Sequence, residues 1–280
     1  MLGLPATTEV DRRLPKEAFY RHMEVDAATR RDLTGGVAAI TVANSIKPAT
    51  TNIADGKTLT VGTITTDGAN AITGAGTLNL TGKGSAFKAP LSGLGTLQIS
   101  GGSAEFYNDI RIDRLAFNNG GEVRLIEGMT MTVTDMTQSN ASNAGLVYGD
   151  GAFAAGTGNI QFSTGGKRLA KATIGSGTLN FIGDSTVGSL NYSSVEGTIN
   201  IADNVTVSVG SDFSGIGILT GGESAALHLS GSANAVINKA NGYKGKIGAD
   251  SGALSFMSTT AFSELTLESA SATFYDKADI

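Results

Sequence analysis

The chain of 280 residues carries 20 Lys and Arg against 25 Asp and Glu, a net charge of −5, and only 16% of its residues are charged. It has no cluster of four or more basic residues, so a phosphate-binding nucleic-acid footprint is not expected. It has no cysteine, which excludes disulfides, thiolate nucleophiles and thiolate metal sites. With 40% hydrophobic residues it can build a core, and its 39 Gly are about twice average usage.

Composition changes near residue 50. Residues 1–56 hold 4 Gly, seven basic and seven acidic residues and three of the four prolines, whereas 35 Gly follow. The opening MLGLPATTEVDRRLPKEAFY has neither the basic n-region nor the apolar h-region of a signal peptide. The early segment reads mostly helical. Pro15 suits a first helical turn, and Phe19, Tyr20 and Met23 give a short apolar face. Asp26 can cap AATRRDL, with Arg30 and Arg31 later in the favourable dipole order. VAAITVANSI (37–46) reads as a helix or strand core segment. No apolar run reaches the ~18 residues of a membrane span. The stretches Leu4-Pro5-Ala6-Thr7-Thr8-Glu9, Arg13-Leu14-Pro15-Lys16-Glu17-Ala18-Phe19-Tyr20 and Ile46-Lys47-Pro48 to Gly56 resemble the start of an uncharacterised bacterial domain family over residues 2–56. That resemblance implies no activity.

From residue 57 the chain repeats a unit of Gly, a small residue and an apolar–polar–apolar triplet. Copies are Gly76-Thr77-Leu78-Asn79-Leu80, Gly95-Thr96-Leu97-Gln98-Ile99, Gly121-Glu122-Val123-Arg124-Leu125, Gly158-Asn159-Ile160-Gln161-Phe162, Gly177-Thr178-Leu179-Asn180-Phe181 and Gly197-Thr198-Ile199-Asn200-Ile201. Ala226-Leu227-His228-Leu229 and Gly252-Ala253-Leu254-Ser255-Phe256 are weaker copies. The Gly spacings are 19, 26, 37, 19 and 20. Alternation at period 2 signals strands, and a period near 20 signals a solenoid in which each coil covers the apolar face of the last. Leu78, Leu97, Ile99, Leu179, Phe181, Ile199 and Ile201 should point inward, Asn79, Gln98, Asn180 and Asn200 outward, with glycines taking positive φ at the corners. At the coil spacing of ~4.8 Å, roughly 8–11 coils should form a rod about 40–55 Å long.

These copies, above all Gly74-Ala75-Gly76-Thr77-Leu78-Asn79-Leu80-Thr81-Gly82 and Gly175-Ser176-Gly177-Thr178-Leu179-Asn180-Phe181-Ile182-Gly183, resemble the GxGTLxLxG strand repeat of autotransporter passengers. The resemblance implies an all-β, right-handed parallel β-helix (solenoid) at the cell surface, following a short mostly helical N-terminal segment. On this reading residues 1–52 are a helical segment of foreign or truncated origin, and residues 53–280 a solenoid incomplete at its C-terminus, with its translocating barrel beyond DKADI. NIADGKTLTVG (52–62) matches NIADNVTVSVG (200–210), which suggests that the two parts were joined at a shared stretch.

Chemical motifs are sparse. His22 and His228 lie in different regimes, so no His-rich metal site is expected, and both should face solvent. Asp109, Arg111, Asp113 and Arg114 in NDIRIDR are the nearest approach to the grouped carboxylates of a polysaccharide-cleaving β-helix, and otherwise read as a solvated face of alternating sign. No phosphate-binding loop, nucleophile elbow or Ca²⁺ repeat is present. No catalytic, cofactor or metal residue is therefore assigned, and no cofactor is expected. The leading expectation is a non-enzymatic, adhesin-like rod contacting host-cell surfaces, glycans or neighbouring bacterial cells. The alternatives are a polysaccharide-acting β-helix enzyme and a cytosolic bacterial protein defined by its N-terminal segment.

Overall fold

The computed structural model describes residues 31–33, 39–46, 51–67, 71–89, 91–139, 144–231, 234–258, 260–276 and 278–279. The described chain is all-β, 65% strand, and winds into a parallel β-solenoid of about 11 turns with no helix. The alternating triplets explain this outcome. A strand with one apolar edge cannot bury it alone, and stacking one coil on the next covers that edge while pairing every backbone group.

Each coil presents three faces in chain order. Face 1 contains Thr77–Leu80, Thr96–Ser100, Asn159–Phe162, Thr178–Phe181, Thr198–Ile201 and Ile218–Gly221. Face 2 contains Ser85–Phe87, Ser103–Phe106, Glu122–Leu125 and Ala226–Leu229. Longer strands such as Ile110–Asn118, Leu146–Ala155 and Lys246–Phe256 bend across a corner and serve two faces, face 3 among them. Register is kept from rung to rung. On face 1, Leu59 opposes Leu78, then Leu97 and Leu115, and farther on Ile160, Leu179, Ile199 and Leu219. All of these are buried, as the sequence predicts for Leu78, Leu97, Leu179 and Ile199, and Ile99, Phe181 and Ile201 are equally enclosed. Aromatic rings stack within the core, Phe87 on Phe106 at 4.8 Å and Phe162 edge-on to Phe181 at 5.5 Å. Outside face 1, Thr60, Asn79 and Gln98 form one polar column, and Gln161, Asn180, Asn200 and Thr220 another. Asn200 Nδ2 donates to Asn180 Oδ1 (3.1 Å), and the Thr220 hydroxyl donates to Asn200 Oδ1 (2.9 Å).

The register corrects two expectations. The copy at Gly121 belongs to face 2, not face 1, because Glu122–Leu125 pairs with Ser103–Phe106. The missing face-1 rungs are residues 114–117 and the end of Thr130–Gln138, which lack the Gly-Thr lead and so produced spacings of 26 and 37. The recurring glycines are not all positive-φ corner residues either: Gly76, Gly95, Gly158, Gly177 and Gly197 have no positive φ. Instead, a β-carbon there would lie 2.1–2.5 Å from a carbonyl oxygen of the preceding coil. These glycines allow two backbones to approach closely.

Corners use a separate device. In Ala54-Asp55-Gly56-Lys57 and Ala202-Asp203-Asn204-Val205 the fourth amide donates to the first carbonyl (3.0 and 3.2 Å), and the third residue has positive φ, 69° at Gly56 and 60° at Asn204. Ile126-Glu127-Gly128-Met129 is built alike. The two matching NIAD stretches therefore make the same turn at different corners. The first follows Thr51–Ile53, in the face-3 position of the early coils, and leads to face 1; the second leads from face 1 to face 2. The match is one of turn geometry, not of position in the coil.

The helix expected over AATRRDL is corrected where it is described: Arg31–Leu33 is a strand, paired in parallel with Thr51–Ile53. Ala39–Ile46 is also a strand, paired with Thr58–Thr66. Residues 1–30, with the rest of the helical segment, Pro15, Asp26 and His22, lie outside the described residues. Neighbouring strands offer Arg31–Leu33 and the β-branched residues of Ala39–Ile46 ladder partners, and tertiary context outweighs weak helix propensity. At the other end, Glu264–Phe274 pairs with Lys246–Phe256 over ten positions, and no described strand pairs on its far side. Leu265, Leu267 and Phe274 are only partly buried there, while Ile247, Ala249 and Phe256 one rung earlier are enclosed.

Candidate functional site

Because the interior is filled, any chemistry lies on the outer faces. Faces 1 and 3 carry mainly Thr, Ser and Asn, and the densest charged and aromatic grouping is on face 2 between residues 83 and 168. Register creates it: Glu105 opposes Arg124, which opposes Tyr148, while Glu122 lies two positions before Arg124. Period-2 alternation turns all four side chains outward, while Ala104, Val123, Leu125 and Val147 fill the core.

The same arrangement occurs twice. Glu105 accepts from the Tyr107 hydroxyl (2.8 Å) and from Arg124 (2.8 Å), and Lys88 Nζ lies 5.5 Å from the centre of the Tyr107 ring. Glu122 accepts from the Tyr148 hydroxyl (2.9 Å) and from Lys167 Nζ (2.8 Å), and that ammonium lies 4.0 Å from the centre of the Tyr148 ring. Arg168 pairs with Asp150 at 3.3 Å alongside. The bonds from Tyr107 and then Arg124 hold the Glu105 carboxyl below its ordinary range. The Lys167 bond lowers Glu122, aided by Tyr148 and the nearby charge of Lys83. Conversely, the bond to Glu105 raises the Tyr107 hydroxyl, and burial followed by the bond to Glu122 raises that of Tyr148. Each phenol thus stays protonated and tied at its hydroxyl end, fixing the ring.

The charged stretch at 109–114 does not converge. Ile110 and Ile112 point into the core, leaving Arg111 and Asp113 exposed beside a shallow concavity shared with Ser92 and Thr130. Asp109 Oδ1 accepts the Thr130 amide of the next coil (2.7 Å), and Arg114 has turned onto face 1, where it pairs with Asp135 (3.3 Å). His228 occupies an outward, partly exposed position, its Nε2 3.1 Å from Asp250 Oδ1, with Gly248 opposite it in the register. Nearby, Lys246 pairs with Glu264 at 2.8 Å and holds that carboxyl below its ordinary range. Among the described residues, no three His, Cys, Asp or Glu side chains are grouped closely enough to hold a metal ion.

The face-2 belt escaped sequence reasoning because, Glu105 and Tyr107 aside, its partners are far apart in the chain. The available signal was separation by one coil, 19 residues from Glu105 to Arg124 and 26 from Glu122 to Tyr148.

Among known families, the model of a domain of unknown function, DUF4391, matches residues 2–60, a span that includes the strands of the first coils. No curated protein and no solved structure matches the chain.

Proposed function

We propose that this chain is a binding and structural rod of the adhesin type, displayed at a bacterial cell surface or secreted, and that it acts through its outer faces without a catalytic step. The observation that carries the reading is the uninterrupted core. Among the described residues, a parallel ladder of about 11 turns encloses its apolar side chains up to the Lys246–Phe256 rung, so the available chemistry lies in rows along the outside. The GxGTLxLxG repeat and its likeness to autotransporter passengers support this assignment, as does the parallel solenoid itself. Partners would be host-cell surfaces, glycans or neighbouring bacterial cells. The test is adhesion of beads coated with the purified chain to bacterial and epithelial cells, against beads coated with heat-unfolded chain. Retention that requires the folded rod is expected; equal retention of both bead types would reject the reading.

The DUF4391 match favours a second reading, in which residues 2–60 define the biology of a cytosolic protein. Fractionation of the native host with an antibody against residues 200–276 separates the two, since only the first places this epitope on intact cells.

A further inference from the structure

We infer that the face-2 belt is a binding site for an acidic polysaccharide, with Tyr107 and Tyr148 as stacking platforms and lysines as carboxylate contacts; this rests on the binding-rod reading above. Three observations converge. First, a chain of net charge −5 gathers Lys83, Lys88, Arg124, Lys167 and Arg168 on one face, against Glu105, Glu122 and Asp150 within the same belt. Further carboxylates, Asp109 and Glu127, lie in the turns that leave toward face 3. Second, the acidic side chains are already engaged by a tyrosine hydroxyl or a cation, whereas Lys83 and Lys88 make no described ion pair. Within the belt itself, apart from the turn carboxylates, the charges left over for a ligand are these two lysines, and Asp109 is held by the Thr130 amide. Third, both phenol rings are held before any ligand arrives, and Tyr107 is 41% exposed. Prefixed aromatic rings supply contact area at little entropic cost.

Spacing favours a polymer over a single sugar. Tyr107 follows Phe106, which opposes Leu125 and then Gly149, the neighbour of Tyr148. The tyrosines are therefore two rungs apart, about 10 Å along the rod, the span of a disaccharide. A chain lying along face 2 can place one pyranose on each ring and a uronate carboxylate within reach of Lys88 or Lys83.

Calorimetric titration with oligogalacturonate, and with a neutral oligogalactoside of equal length, tests this on the full chain. The oligouronate should bind, weaken steeply with added salt, and lose about tenfold in affinity in Tyr148→Ala and in Tyr107→Ala. Lys88→Glu should lose at least as much, and Tyr148→Phe, which keeps the ring but not the hydroxyl that ties it to Glu122, should lose less than Tyr148→Ala; an unchanged far-ultraviolet circular dichroism spectrum shows that each variant folds. Equal, salt-insensitive binding of both oligomers would overturn the acidic specificity and leave the rod reading intact. No binding of either, with bead adhesion unchanged in Tyr148→Ala, would overturn the belt as a site. Loss of folded-rod adhesion itself would strike the underlying reading instead.

Discussion

At the scale of single residues, two kinds of glycine maintain the coil and should respond differently to a methyl group. At Gly177 a β-carbon would sit 2.2 Å from the Gly158 carbonyl oxygen, which cannot give way without moving a rung. Gly177→Ala should therefore cost about 2 kcal/mol or more. Gly128 has open space but φ of +80°, so Gly128→Ala should cost only about 1 kcal/mol, chiefly backbone strain. Denaturant titration of both variants checks the ranking. The glycines themselves were plain in the sequence, but their role was not, since a close approach between coils is a property of two segments. Two phenols, Tyr243 buried and Tyr192 partly buried, make a further test. Burial raises the hydroxyls of Tyr192 and Tyr243 well above the ordinary 10.0, and Tyr243 also donates to the Lys246 carbonyl (2.7 Å). A raised folded-state value means that their stabilisation is fully present below pH 10 and is lost as pH rises through the folded value. In an alkaline absorbance titration these two phenols should ionise only as the coils open; their early ionisation in an intact fold would contradict the packing described.

At the scale of elements, strand existence and facing were legible because period-2 alternation is local: Leu179, Phe181, Ile199 and Ile201 point inward as read. Assignment of strands to faces was not legible where the Gly-Thr lead is missing, as at residues 114–117. There Arg114 and Ala116 occupy outward positions and only Leu115 and Phe117 mark the rung. Nor could the N-terminal region be read as strand. Arg31–Leu33 has no alternation of its own and becomes a strand because Thr51–Ile53 pairs with it. Register supplies a test. Thr178 opposes Thr198, so residues 178–197 form one full coil. Their deletion joins Gly177 to Thr198 and should leave a cooperatively unfolding rod about 4.8 Å shorter. Deleting residues 178–187 alone would place later strands on the wrong faces and should abolish cooperative unfolding. Small-angle scattering and far-ultraviolet circular dichroism distinguish these outcomes. Among the described residues no strand pairs on the far edge of Glu264–Phe274, where Leu265 and Leu267 are partly buried. Leu267→Lys should accordingly reduce concentration-dependent association in light scattering.

For the whole molecule, a repeating interior leaves the exterior free to vary. Face 1 spends its outward positions on bonded Asn, Gln and Thr columns, whereas face 2 collects charge and aromatic rings over a few rungs. The architecture was legible at this scale, because any consistent 20-residue period with inward apolar pairs demands stacked coils. The belt was not, because most of its contacts join residues one or two coils apart whose types follow no repeat. Everything built on the faces depends on parallel, in-register stacking, and the absence of native cysteine makes that directly measurable. Asn180 and Asn200 are opposite one another and face outward. Oxidation of an Asn180→Cys, Asn200→Cys variant should yield an intramolecular disulfide by mass spectrometry, since adjacent rungs bring the Cα atoms within the ~4.4–6.8 Å a disulfide spans. Asn180→Cys with Thr198→Cys, two residues out of register, should remain reduced. A failed link at 180–200, or equal linking in both variants, would contradict the solenoid described here.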